Sequence, residues 1–212
     1  MLVVCAGTAT DVGKTWVGAA TLAELRRRGH TVSARKPAQS YDPAAAGPLD
    51  AAVLAAATGE RADDVCLPKR TYPLPMAPPM AAAALGQPEP TLTGLVAELL
   101  WPDPPPEVAW VELVGGPRSP MAVDGDGVDL TARLGPDHVV LVADAGLGTI
   151  NAVALSLEPF VAMGHRPVVL LNRYDPAVDL HRRNWTWLTD RCGAPVVTDA
   201  VALADALAPT PR

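Results

Sequence analysis

Residues 2–15 read LVVCAGTATDVGKT: an unbroken apolar run, a loop bounded by glycines, then Lys-Thr opening a helical stretch. Few arrangements constrain a chain as strongly. An apolar run directly before such a loop reads as a buried strand, and the loop's backbone amides at a helix start form an anion site. The usual phosphate loop has four residues between its glycines, whereas Thr8, Ala9, Thr10, Asp11 and Val12 stand between Gly7 and Gly13 here. In this context Lys14 is expected to reach outer phosphates and the Thr15 hydroxyl to hold Mg²⁺.

Further apolar runs follow at TVSAR (31–35), VAWVEL (108–113), HVVLVAD (138–144) and RPVVLLN (166–172), with a weaker one at APVVT (194–198). Several are apolar at consecutive positions, so both strand faces are expected to be covered, as in a parallel sheet between helix layers. Helices are expected over 13–28, 49–58, 91–100, 178–191 and 200–207. The spacing of Trp16, Ala19, Ala20 and Ala23 suggests the inward stripe of the first. Ile150, Val153, Ala154, Leu157 and Val161 mark another helix, which Pro159 should kink or divide. The 23 prolines concentrate between Pro68 and Pro106, where loops or extended connections are expected. Alternating strands and helices give an α/β fold, and no linker divides the 212 residues, so one domain over 1–212 is expected.

A net charge of −6 and a pI near 5.1 argue against nucleic acid or an anionic membrane as a partner. The one basic run, Arg26 to Arg28, falls at a helix end, where cations oppose the dipole. No stretch approaches the ~18 apolar residues of a membrane span. MLVVCAG does not read as a secretory signal, and Cys5, Cys66 and Cys192 suggest neither a disulfide framework nor metal spacing. A cytoplasmic protein is expected.

Ligands in open parallel sheets collect beyond the carboxyl ends of the strands. Lys36, in ARKPAQS, and Glu112, in WVELVGG, both end strand runs and so belong beside the phosphate loop. Asp50 precedes AAVLAAA and reads either as that helix's cap or as a metal ligand. In GGPRSPMAVDGDG, residues Arg118, Asp124 and Asp126 read as a solvated turn in preference to a metal loop.

The loop GTATDVGKT, the Lys-Pro-x-x-Ser segment and the Val-Glu strand end together resemble the dethiobiotin synthetase family, whose loop reads Gly-Thr-x-Thr-x-Val-Gly-Lys-Thr. YPLPMAPPMAA (72–82) resembles its substrate-side proline segment, and GLGTIN (146–151) the loop before its dimer-interface helix. The resemblance runs from Leu2 to about Asn172. It implies a P-loop NTPase-like three-layer sandwich with a mostly parallel central sheet, working as a homodimer. It also implies an ATP- and Mg²⁺-dependent ligase that closes a cyclic urea from 7,8-diaminononanoate and CO₂ in biotin biosynthesis.

By the same resemblance Lys14 and Lys36 are catalytic, and Thr10, Asp11, Val12, Gly13, Lys14, Thr15, Trp16 and Asn172 bind nucleotide, Asn172 at adenine. Thr8, Ser40, Gly148, Thr149 and Asn151 bind the diamine, the last three receiving its carboxylate across the dimer. Thr15, Asp50 and Glu112 hold the metal.

Leu113-Val114 replaces the family's Gly-Ala, Tyr41 a glycine, and Ala152 a histidine. Leu113 is expected to add bulk beside the site. These departures motivate a second reading, a nucleotide-binding relative with altered substrate or lost ligase activity. A third, a partitioning ATPase, expects a lysine between the two glycines and a basic or amphipathic end; the loop has no lysine and ALADALAPTPR offers neither strongly.

Overall fold

The computed structural model describes residues 1–208; the last four residues of the ALADALAPTPR tail lie outside the described residues. In chain order the strands are β1 (Leu2–Gly7), β2 (Val32–Arg35), β3 (Gln39–Ser40), β4 (Thr71–Tyr72), β5 (Val108–Glu112), β6 (Pro120–Ala122), β7 (Gly125–Asp126), β8 (His138–Asp144), β9 (Val168–Asn172) and β10 (Val196–Val197). The α-helices are α1 (Lys14–Arg27), α2 (Asp50–Thr58), α3 (Ala62–Val65), α4 (Pro78–Ala84), α5 (Leu92–Ala97), α6 (Gly127–Leu134), α7 (Thr149–Ala162), α8 (Asp179–Arg191) and α9 (Ala200–Leu207).

Six strands form one parallel sheet in the order β10-β9-β8-β1-β5-β2. Successive residues of a strand face opposite sides, and both sides here are apolar. Val3, Cys5, Trp110, Val140 and Leu170 point into a core with α1, α2 and α9. Val4, Ala6, Val111, Leu141 and Leu171 point into a second core with α5, α6, α7 and α8. Consecutive apolar residues are thus used up, one per face, and the three-layer sandwich follows.

Four local expectations need correction. On α1 the buried residues are Lys14, Val17, Gly18, Thr21, Leu22 and Leu25, while Trp16 is 62% exposed. The inward stripe lies on the face opposite Trp16, Ala19, Ala20 and Ala23, because Val17, Leu22 and Leu25 bury more apolar area than alanines do. Pro159 does not divide its helix, since α7 runs through it from Thr149 to Ala162. The proline-rich stretch is not all loop, since Pro78 and Pro79 open α4, where their missing N–H groups cost nothing. Asp50 does not cap α2; Leu49 occupies that position without a side-chain bond, and Asp50 is the first helical residue.

The acids of the 117–127 segment serve as helix caps. Asp124 accepts from the Leu92 amide at 2.7 Å, and Asp126 caps α6 by accepting from Val128 and Asp129. No helix among the described residues is long and apolar enough to cross a membrane.

Candidate active site

The loop after β1 is pinned at its base, where Thr8 N donates to the Val142 carbonyl at 2.9 Å. It then folds back, with Asp11 at φ 61° and Gly13 at φ 91°. A Cβ on Gly13 would lie 2.1 Å from Asn172 Nδ2, so both the backbone angle and the space demand glycine. Asn172 Nδ2 donates to the Val12 carbonyl at 2.9 Å, fastening the loop to the end of β9. Lys14 Nζ donates to the Ala9 carbonyl at 3.0 Å and so lies across the loop. Among the described residues the N–H groups of Thr10 to Trp16 donate to nothing. They form the free amide set that a helix start offers to an anion.

An ionic cluster stands beside this loop. Lys36 lies one residue past β2, held by its amide on the Val65 carbonyl at 2.7 Å. Its ammonium is 2.5 Å from Glu112 Oε1 and 2.7 Å from Asp50 Oδ2. The Thr15 hydroxyl donates to the same Glu112 oxygen at 2.8 Å. Glu112 is fully buried, and its Oε2 has no partner among the described residues. Burial works against the charged form of Lys36, but the carboxylates of Glu112 and Asp50 outweigh it and raise its pKa. Burial likewise opposes the charged form of Asp50, and Lys36 overcomes it, so that carboxyl falls below its ordinary value. Lys14 goes the other way: burial, joined by repulsion from Lys36, lowers its pKa against the pull of Glu112.

Loop and cluster open on one cleft of about 560 Å³. Thr10, Asp11, Gly13, Lys14, Thr15, Lys36, Ser40 and Asp50, all named from the sequence, line it. Ser40 Oγ is buried without a partner among the described residues. Pro75, Met76, Ala77 and Pro78 form a wall, as the resemblance to a substrate-side proline segment implied. Thr8 lines a broader groove that shares Thr10, Ser119 and Pro120 with the cleft. Val12 is buried beneath the loop, and neither Trp16 nor Asn172 lines the cleft. Gly148, Thr149 and Asn151, at the start of α7, are not brought to this cleft within the chain.

Leu113 does not add bulk beside the site. Its side chain is fully buried in the second core with Leu92, Leu95, Met121 and Leu130, and Val114 takes the cleft-facing position. Leu113 shares the second core with Val111 two residues before it, so the strand's alternation carries one residue past Glu112 and turns Leu113 to the face opposite Glu112. Tyr41 also stays out of the cleft, its amide bonded to the Tyr72 carbonyl.

Sequence reasoning missed Arg173, which lines the cleft and bridges the Asp11 carbonyl and Asp144. Its only sequence signal was its place after Asn172. Among the described residues no group of three His, Cys, Asp or Glu side chains gathers as a metal cage. The oxygen donors of Thr15, Asp50 and Glu112 instead suit a hard cation that keeps water and phosphate ligands.

Comparison with known proteins agrees with this geometry. Residues 2–197 match the family described as an AAA domain, so the match runs past Asn172 to the last strand. The ATP-dependent dethiobiotin synthetase BioD of Mycobacterium marinum is 40% identical over 164 residues, 76% of this chain and 70% of that protein. Its namesake from Haloferax mediterranei is 36% identical over 200 residues, 91% of this chain and 80% of that protein. That of Corynebacterium efficiens is 36% identical over 153 residues, 72% of this chain and 66% of that protein. Among solved structures, a plasmid partition protein of Borrelia burgdorferi bound to AMPPNP has a TM-score of 0.53 at 11% identity, over 93% of this chain and 86% of that one. The signal recognition particle receptor FtsY of Elizabethkingia anophelis has 0.51 at 14% identity, over 96% of this chain and 64% of that one. At such identities these two speak for the fold alone. The sequence relatives, with a glycine loop, a buried lysine and a strand-end glutamate converging on one cleft, place this chain in the dethiobiotin synthetase family.

Proposed function

We propose that the protein is an ATP-dependent dethiobiotin synthetase that closes a cyclic urea on 7,8-diaminononanoate. The observation that carries the reading is that Lys14, Thr15, Lys36 and Asp50 line one cleft, with Glu112 buried behind them and bonded to Thr15 and Lys36. One amine adds to CO₂ and loses a proton, giving a carbamate. A carbamate oxygen takes the γ-phosphoryl group and ADP leaves. The second amine then attacks the carbamate carbon and expels phosphate.

Two anions must approach each other for the phosphoryl transfer, and cations fixed beforehand lower that barrier. Lys14 lies on the outer phosphates, and Lys36 sits between γ-phosphate and carbamate. The free amides of Thr10 to Trp16 take the remaining phosphate charge. Asn172 spends its Nδ2 on the loop, which leaves Oδ1 to accept from the amino group of adenine. Ser40 and Thr8 position the diamine, and the buried, unpartnered Ser40 hydroxyl is free to bond an amine.

Mg²⁺ fits the remaining donors, because Glu112 Oε2 is buried and unpartnered, Thr15 is bonded to the same carboxylate, and Asp50 is joined to it through Lys36. When bound there it would supply charge neutralisation to the outer phosphates. Gly148, Thr149 and Asn151 do not line the cleft of their own chain, and Leu147 next to them is 93% exposed. Both observations support a homodimer in which each chain offers these residues to the other's diamine. One domain over 1–212 carries the site. The three cysteines are unpaired, in keeping with a reducing cytoplasm.

The altered-substrate reading loses its main support, since Leu113 leaves the cleft free. The deciding experiment supplies diaminononanoate, bicarbonate, ATP and Mg²⁺ and follows dethiobiotin by mass spectrometry and ADP by coupled assay. Equal dethiobiotin and ADP are expected. ADP release without dethiobiotin would overturn the assignment.

A further inference from the structure

Among the described residues, two non-glycine residues have a backbone in the left-handed region, Asp11 at φ 61° and Arg173 at φ 57°. They stand 162 positions apart in the chain and are bonded to each other, Arg173 Nη2 donating to the Asp11 carbonyl at 2.8 Å. Such conformations cost free energy and persist only where the surroundings impose them. Arg173 Nη1 donates to Asp144 Oδ2 at 2.7 Å, while Asp144 Oδ1 accepts from the Gly146 amide at 2.8 Å. Gly146 in turn accepts from Asn184 and opens the turn into α7. One guanidinium therefore joins the outer bend of the nucleotide loop to the turn at the end of β8.

We propose that Arg173 is a positioning residue that sets the shape of the nucleotide loop before ATP arrives and ties that shape to the turn from Asp144 to Thr149. Asp11 is the residue at which the long loop reverses, directly before Val12, which Asn172 holds. Asn172 and Arg173 thus grip successive carbonyls, and the free amides of the loop stay convergent. Without the guanidinium the Asp11 peptide is free to leave its left-handed state, and the amides that receive phosphate spread apart. A planar fork is suited to this task because it donates to two acceptors at once, which an ammonium on a flexible stem does poorly. The inference deepens the reading proposed above and rests on its nucleotide site.

The test compares the unaltered protein with Arg173→Asn and Arg173→Lys. Asparagine tolerates the left-handed backbone, so the first variant removes the guanidinium without new strain. Measured are kcat and KM for ATP, Kd for AMPPNP, thermal midpoint, and amide exchange over residues 146–149. Arg173→Asn should raise KM and Kd by about tenfold, the worth of a charged hydrogen bond, with kcat far less affected. Exchange at Gly146 should rise, and Arg173→Lys should recover part of the affinity. An unchanged Kd with a lowered thermal midpoint would make Arg173 merely structural and overturn the proposal, as would unchanged exchange at Gly146. If the unaltered protein forms no dethiobiotin while Arg173→Asn still weakens AMPPNP, the reaction falls and this inference stands.

Discussion

The two ends of the cleft are built differently. On the nucleotide side, each element is fixed by another within the chain: Asn172 holds Val12, Thr15 and Lys36 share Glu112, and Lys36 reaches Asp50. On the diamine side, the wall is a proline-rich segment, Ser40 has no partner among the described residues, and Gly148 to Asn151 lie elsewhere. Preorganisation is needed where charge builds up in the transition state, because only fixed dipoles and charges act without reorganising. The diamine end must admit a flexible chain, and a second subunit can complete it. If the chain works as the proposed homodimer, the cleft has one end that a single chain builds alone and one that a pair completes.

The largest effect should come from breaking the interlocked side. Lys36→Met should lower kcat by about a thousandfold, as the loss of a transition-state donor does. It should also destabilise the fold by roughly 3–5 kcal/mol, because Glu112 is left buried and unpaired. Adding Glu112→Gln should restore much of the thermal midpoint and none of the rate. Recovery of both would mean that the pair is structural.

A smaller effect, confined to the other side, is expected from Leu147→Asp on the exposed rim of α7. Sedimentation should show dissociation of the dimer, and KM for the diamine should rise about tenfold or more, by the usual worth of a central interface contact. KM for ATP should hold. If both constants moved together, the two sides would not be separable in this way.

Leu113→Ala distinguishes packing from chemistry. A leucine deleted from a closed core costs about 2–5 kcal/mol. Thermal denaturation should show that loss, with both KM values unaltered. A better diamine KM in this variant would return Leu113 to the cleft wall.

The smallest effect is on pH dependence. Lys14 has a lowered pKa in the free protein, chiefly through burial, so it loses its proton below the ordinary lysine value of about 10.4. As pH rises through this lowered pKa the phosphate-binding charge disappears and kcat/KM for ATP should fall. Lys36 has a raised pKa and stays charged over the same window. In Lys14→Arg the residual kcat/KM should lose this alkaline limb, since guanidinium does not titrate there. A limb at the same pH in that variant would assign it to another group.

Much of this was legible in the chain. Runs of consecutive apolar residues announced strands covered on both faces. The spacing of Gly7, Gly13, Lys14 and Thr15 named the nucleotide loop. Lys36 and Glu112 were placed beside it because strand ends in a parallel sheet share one edge. These are local signals, written in neighbouring residues, and physics acts on them locally.

Where an outcome depended on which atoms come together from distant parts of the chain, the sequence was silent or misleading. Spacing pointed to Trp16 and the alanines of α1 as the inward stripe, while packing selected Val17, Leu22 and Leu25. Asp50 read as either a cap or a metal ligand, and the fold leaves the cap position to Leu49 and turns the Asp50 carboxylate to Lys36. Leu113 looked like an obstruction, and strand alternation turned it into the core. Arg173 carried no signal beyond its place after Asn172, because its importance lies in a left-handed backbone and a bond to Asp11 that exist only in the folded chain. The sequence by itself determined the layers and the chemistry at the strand ends. Only the tertiary structure decided which side chains face the cleft and which hold the loop, because those choices are settled by packing and by bonds between residues far apart in the chain.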